Sequence, residues 1–158
     1  MSAWKKIALT AAGVGIAVYA YARKLKRTQA NLIVIPQVSV QSIGLSGIVL
    51  RTDVQIKNPT DGSLTIKWPF VTLIYKDTLL GSSNVVDKDI PLKAYSQTAI
   101  DKIMIDIPLA GALTVVSDLI GSLQSKLPVR ITVKVSTVVD LGWKKFDYVD
   151  TQEITLKN

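Results

Sequence analysis

Two pairs of carboxylates have the spacing to be considered for acid–base or metal chemistry: Asp87 with Asp89, and Asp147 with Asp150 near the last turn. In an extended stretch, Asp87 and Asp89 share one face and offer two oxygens to a hard cation such as calcium, which takes about six to eight. The sequence around them supplies no further ligands in register. A solvated strand edge is therefore the expectation, with no metal. The chain contains no histidine and no cysteine. That removes Ser-His-Asp triads, thiolate nucleophiles, zinc hydrolase sites and two-histidine iron sites, because imidazole and thiolate supply the base or the ligand in each. The one S-x-x-K string, Ser2 to Lys5, lies ahead of an apolar stretch, and the chain has no phosphate-cradling glycine loop and no dinucleotide fingerprint. These observations imply no enzyme, no cofactor and no small-molecule substrate.

The side chains better suited to contact than to catalysis are Trp143, Lys144 and Lys145, which sit in an expected turn. A tryptophan beside lysines at a hairpin tip suits a lipid interface or a protein partner, being half apolar and half wet. The plainer reading of the same aromatics puts Trp68 and Phe146 in the core and packs Trp143 over the turn.

Behind these residues stands a division of the chain into anchor and head. Ile7 to Ala22 is a run of 16 residues without a charge, bracketed by Lys5 and Lys6 and by Arg23, Lys24, Lys26 and Arg27. As a helix it reaches about 24 Å, short of a hydrocarbon core of about 30 Å, and flanking basic side chains can snorkel to close the difference. The apolar contacts expected with lipid come from Ile7, Leu9, Val14, Ile16, Val18, Tyr19 and Tyr21. Lys5, Lys6, Arg23, Lys24, Lys26 and Arg27 are the expected headgroup contacts. Ala20 to Ala22 resembles a cleavage site of a secretory signal, but the basic cluster just beyond it opposes translocation, so an uncleaved single-pass anchor is expected. The larger basic count after the helix places the head on the cytoplasmic or interior side of the membrane. Gly13 and Gly15 suit close packing against another helix, so self-association or a protein partner is expected.

Charge follows the same division. Of the 19 basic residues behind the net charge of +7, six lie in residues 1 to 30 with no acidic residue among them, leaving 13 against all 12 acidic residues in the rest. A near-neutral head without a basic stripe argues against nucleic acid.

From Leu32 onward the hydrophobic period is two. Ile48, Leu50, Thr52, Val54 and Ile56 alternate with Val49, Arg51, Asp53, Gln55 and Lys57, and the pattern returns at Ile103, Ile105 and Ile107 and at Val129 to Thr137. Further strands are expected over Leu32 to Ile43, Leu64 to Trp68, Phe70 to Leu80 and Tyr148 to Leu156, with Pro69 breaking one long strand. About seven strands separated by turn signals predict an all-β, antiparallel β-sandwich of the immunoglobulin or fibronectin kind. One segment departs from this. Leu109, Leu113, Val116, Ile120 and Leu123 recur at helical spacing, so a capping helix is expected from Pro108 to Lys126, ahead of Pro128.

The order of a long alternating strand ending in Asn58-Pro59-Thr60, then Val71 to Tyr75, Leu80-Gly81-Ser82 and Ile90-Pro91-Leu92 leading to Ile100, resembles the group 2 late embryogenesis abundant family, or WHy (water stress and hypersensitive response) domain. The similarity runs from about Leu32 to about Leu156. It implies a compact sandwich (residues 31–158), tethered here by residues 1–30, that binds, tethers or scaffolds, with stress protection in part of the family. It implies no catalytic residues. Asn58, Pro59 and Thr60 carry a structural role in this reading. The alternative from another class is a structural component of a virion or other large assembly, whose N-terminal helix packs into lipid or into neighbouring subunits.

Overall fold

The computed structural model describes residues 32–111 and 113–156. Two antiparallel sheets face each other. The smaller has three strands in the order β1 (Ile33–Gly44), β2 (Gly47–Lys57) and β7 (Gln97–Pro108). The larger contains β3 (Leu64–Lys67), β4 (Phe70–Tyr75), β5 (Thr78–Ser82), β6 (Asp89–Leu92), β8 (Arg130–Asp140) and β9 (Lys145–Thr155). One helix, α1 (Leu113–Gln124), follows a single 3-10 turn (Leu109–Gly111) between β7 and β8.

Among the described residues nine strands occupy seven rows. Strands β3 and β4 pair with the same side of β8, at Thr65 to Ile66 and at Phe70 to Ile74 respectively, and β9 pairs along the other side. Pro69 interrupts one row, as its sequence position predicts, without sending the chain to the other sheet. The Thr137 hydroxyl fills the gap by donating to the Lys67 carbonyl at 2.5 Å. The next row is interrupted as well: β5 pairs with β4, β6 pairs with β3, and Ser83 to Lys88 leave the sheet between them.

Alternation fixes the core. Ile48, Leu50, Val54 and Ile56 of β2 meet Ile131, Val133, Val135 and Val139 of β8 in one cluster with Ile66, Leu73, Ile105 and Ile107, all essentially inaccessible to solvent. Each such aliphatic side chain contributes about 1.5–3 kcal/mol on burial. Helix α1 closes the cluster with Val116, Leu119 and Leu123. The buried stripe differs from the expected one: Leu113 is 60% exposed, and Leu119, absent from the expected spacing, is fully buried. The helix starts after the 3-10 turn, so Leu109 and Leu113 do not lie on one continuous helical face. Its end is as expected, with Lys126 in the left-handed region, Leu127 N–H donating to the Ser122 carbonyl at 3.0 Å, and Pro128 following.

The expected strand from Phe70 to Leu80 is two strands. Lys76 (φ 47°) and Asp77 (φ 62°) form a two-residue hairpin turn with both φ positive, the mirror-image geometry that matches strand twist. Aspartate tolerates this backbone but lysine does not favour it, and neither glycine nor asparagine is present, so the turn carries only a weak sequence signal. At the β1–β2 turn glycine is required: Gly47 has φ 144°, and a Cβ there would overlap the Ile107 carbonyl.

Candidate functional surfaces

The sandwich has two ends, and hydrogen bonds define the one at which the described chain begins. Leu32 is buried, and its carbonyl accepts a hydrogen bond from the Tyr148 hydroxyl of β9 at 3.1 Å. Two residues on, the Gln152 side-chain amide donates to the Val34 carbonyl at 2.7 Å. Burial, and after it the nearby Asp150 carboxylate, raises the Tyr148 hydroxyl above its ordinary pKa, so the donor keeps its proton.

At this end the Asn58 side chain organises the loops. It is 1% exposed, and its amide nitrogen donates to the Gly62 carbonyl at 2.6 Å and the Lys93 carbonyl at 3.1 Å. Its amide oxygen accepts from the Thr60 N–H at 3.2 Å and the Thr60 hydroxyl at 2.7 Å. A buried amide must be satisfied in this way, and this one binds the β2–β3 loop to the β6–β7 loop. The Asn58 side chain thus staples the start of the N-P-T string to Gly62 and to the Lys93 loop. Tyr95 N–H donates to the Thr60 carbonyl at 2.9 Å, which holds Tyr95 at φ 55° with its side chain 74% exposed.

The β8–β9 hairpin tip joins the same end. Leu141 N–H donates to the Lys144 carbonyl at 2.9 Å, and the Asp140 carboxylate accepts from Gly142 N–H at 2.7 Å. Leu141 and Gly142 line a recess with Ser63, Leu64, Pro91 and Lys93, so the three loops are neighbours. Trp143 stands 56% exposed at the tip, the Lys144 ammonium lies 4.7 Å from the centre of the Phe146 ring, and Lys145 opens β9. Phe146 is only half-buried, in contrast to the core position expected for it, because it belongs to edge strand β9. Trp68 is also half-buried and packs against the core from the break at Pro69, with the Lys88 ammonium 5.1 Å from its ring centre.

A second surface lies on the outer face of the larger sheet. The departure of Ser83 to Lys88 leaves a recess of about 560 Å³ lined by Trp68, Phe70, Val85, Val86, Val138 and Val149, with Lys67 and Asp87 at its rim. Sequence reading did not find it. The signal was the Val85-Val86 pair in a stretch without period, and Val85 is 84% exposed.

The Asp87 and Asp89 carboxylates do come together, around a lysine. The Lys67 ammonium lies 2.7 Å from an oxygen of each and occupies the position a cation would take. The hydrogen bond to Asp87, then that to Asp89, raises Lys67, and the same Lys67 bond lowers Asp87. Asp147 and Asp150 lie on β9, pairing with Val138 and Val135, and Asp150 accepts from the Gln152 amide. Among the described residues no group of three or more His, Cys, Asp or Glu side chains is placed to hold a metal ion. Two further carboxylates have structural partners. Asp118 of α1 accepts from the Tyr75 hydroxyl at 3.0 Å and from Lys76 at 2.6 Å, the Lys76 bond being the larger cause of its lowered pKa. Asp53 accepts from the Lys102 N–H at 2.7 Å and from Arg51 at 3.0 Å across the irregularity between β2 and β7.

The expected anchor, with Ile7, Leu9, Val14, Ile16, Val18, Tyr19 and Tyr21, and the headgroup contacts Lys5, Lys6, Arg23, Lys24, Lys26 and Arg27, lie outside the described residues. Among the described residues no helix is long and apolar enough to cross a membrane.

No protein-family model matches the chain, and no curated protein matches it in sequence. Solved structures do match. A crystal structure of a protein from Archaeoglobus fulgidus overlays with a TM-score of 0.53 at 9% identity, covering 81% of this chain and 98% of that one. The solution structure of a protein from Arabidopsis thaliana overlays with a TM-score of 0.50 at 19% identity, covering 77% of this chain and 79% of that one. A solution structure assigned to a late embryogenesis abundant protein is matched over 98% of this chain and 87% of that one at 16% identity, with a TM-score of 0.33, too loose an overlay to bear on the fold. At these identities the likeness is one of architecture: this chain shares its two-sheet sandwich with the archaeal and plant proteins.

Proposed function

We propose that this chain is a non-enzymatic, membrane-anchored β-sandwich of the late embryogenesis abundant group 2 kind, which acts by tethering and contact. The observation that carries the reading is the fixed exit of the N-terminal segment. Leu32 is buried and pinned by Tyr148, so the stretch from Ile7 to Arg27 leaves the head from one defined point. Ten residue steps from Ala22 to Leu32 span at most about 35 Å, so an inserted Ile7 to Ala22 keeps the head close to the bilayer. The Asn58 staple supports the family reading, since it gives the Asn58-Pro59-Thr60 string a structural purpose independent of any active site. Stress protection, which the resemblance implies, belongs to the same reading as an effect of contact rather than catalysis.

The test is alkaline carbonate extraction of the full chain expressed in cells, beside a Val14→Asp, Ile16→Asp double variant. The full chain is expected to stay with the membrane pellet and the double variant to move to the supernatant. A full chain that is soluble and sediments as large particles means that the segment is an assembly element, and replaces the anchor with the structural reading.

A further inference from the structure

We infer that the end of the sandwich formed by the Asn58–Ser63 loop, the Lys93–Ser96 loop and the Leu141–Lys144 tip rests on an anionic phospholipid surface. The inference depends on the anchored reading and adds to it which end of the head meets the lipid and through which side chains.

Three observations converge. First, the chain outside the described residues ends at this end: Leu32 pairs its neighbour Ile33 with Lys57, and Asn58 is the next residue of β2's exit. Second, this end presents the aromatic side chains that favour a water–lipid boundary, Tyr95 at 74% and Trp143 at 56% exposure. Tyr95 is held outward by a left-handed backbone that a non-glycine residue adopts only when its surroundings impose it. Third, the charge is complementary. Lys57, Lys93, Lys144 and Lys145 outnumber Asp61 and Asp140 there, and Asp140 is engaged locally, accepting from Gly142 N–H and pairing with Lys145 at 3.6 Å. In the anchored reading Arg23, Lys24, Lys26 and Arg27, which lie between the apolar run and Leu32, add to this field on the head's side of the bilayer. Lysines near an anionic surface each strengthen binding about fivefold.

The opposite end differs. Its turns carry aliphatic Leu45 and Leu113, its basic Lys76, Lys126 and Arg130 are matched by Asp77, Asp106, Asp118 and Glu153, and no tryptophan lies there among the described residues. The two ends can therefore be distinguished by experiment.

The absence of cysteine makes single labels clean. The full chain carrying Tyr95→Cys or Leu45→Cys, each with an environment-sensitive fluorophore, is reconstituted into phosphatidylcholine vesicles with and without phosphatidylserine, and quenched by nitroxide lipids. The label at 95 is expected to be quenched several-fold more than that at 45 in the presence of phosphatidylserine, and Lys144→Glu with Lys145→Glu is expected to reverse most of the difference. If the chain is stripped from vesicles by carbonate, the anchored reading fails and the inference with it. If the chain resists carbonate while the two labels are quenched alike, or position 45 more, the inference alone is overturned. A label at 95 shielded from aqueous iodide but out of reach of the lipid quencher means that protein covers this end, and also overturns it.

Discussion

The Tyr148 hydroxyl of β9 donates to the Leu32 carbonyl at 3.1 Å, bridging residues 116 apart in sequence and edge strands of different sheets. Tyr148→Phe removes only that bond and is expected to lower unfolding free energy by about 1 kcal/mol with an unchanged denaturant slope. The pH dependence follows from the raised pKa of the hydroxyl. Its contribution is fully present below the ordinary tyrosine value of 10.0 and is lost as pH rises through the higher folded value. Urea unfolding against pH should show a shallower alkaline decline in the phenylalanine variant.

Asn58 makes four side-chain hydrogen bonds while fully buried. Asn58→Ala is expected to cost about 2–4 kcal/mol, since the Gly62 and Lys93 carbonyls lose their donor inside the protein. Asn58→Asp should be worse at neutral pH, because it sets a carboxylate against those same two oxygens. Chemical denaturation of both variants checks the order.

Thr52 is the converse case. Its hydroxyl is buried without a hydrogen-bond partner, on a core face otherwise made of Ile48, Leu50, Val54 and Ile56. Thr52→Val keeps the shape and removes the unpaired group, and is expected to stabilise by about 1 kcal/mol. A lower melting temperature would mean that the hydroxyl is satisfied.

Burial opposes ionisation of Asp53, but the hydrogen bonds from Arg51 and the Lys102 N–H outweigh it and hold the carboxyl below its ordinary value of 3.8. The stability it contributes is present above that value and disappears as pH falls through the lower folded one. Asp53→Asn should cost about 1 kcal/mol near neutral pH and flatten the acid limb of a melting-temperature profile.

Asp87 and Asp89 are expected to be silent in calcium titrations, because Lys67 already lies between them. Replacing both with alanine should leave the melting temperature nearly unchanged, as exposed ion pairs contribute little. A calcium-dependent rise in the melting temperature of the native chain, absent from the variant, would overturn this.

The strands were legible wherever one face is wet and the other dry, as in β2 and β8, because alternation there is enforced by burial. The Lys76-Asp77 turn was not, since only Asp77 is of a type suited to a left-handed backbone and strand pairing imposes that backbone on Lys76. Leu119 escaped the helical stripe because the 3-10 turn at Leu109 to Gly111 offsets the phase. The outer recess was invisible for a different reason: Trp68, Val85, Val138 and Val149 come from four separate segments, and only the paired interruptions at Pro69 and at Ser83 to Lys88 bring them together. The importance of Asn58 was readable as a turn signal, while its bond to Lys93, 35 residues away, was not.

The side-chain bridges from β9 to β1 also bear on how copies of this chain treat one another. An open strand edge is a template for a neighbouring molecule. Here the outward carbonyls of Leu32 and Val34 are occupied by Tyr148 and Gln152, β1 carries Pro36 and an irregularity after Val40, β6 carries Pro91, and β7 is kinked at Lys102. Under the proposed anchoring, a head held in a thin layer over a membrane would be crowded by its own kind, and these devices oppose edge-to-edge pairing between copies without relying on dilution.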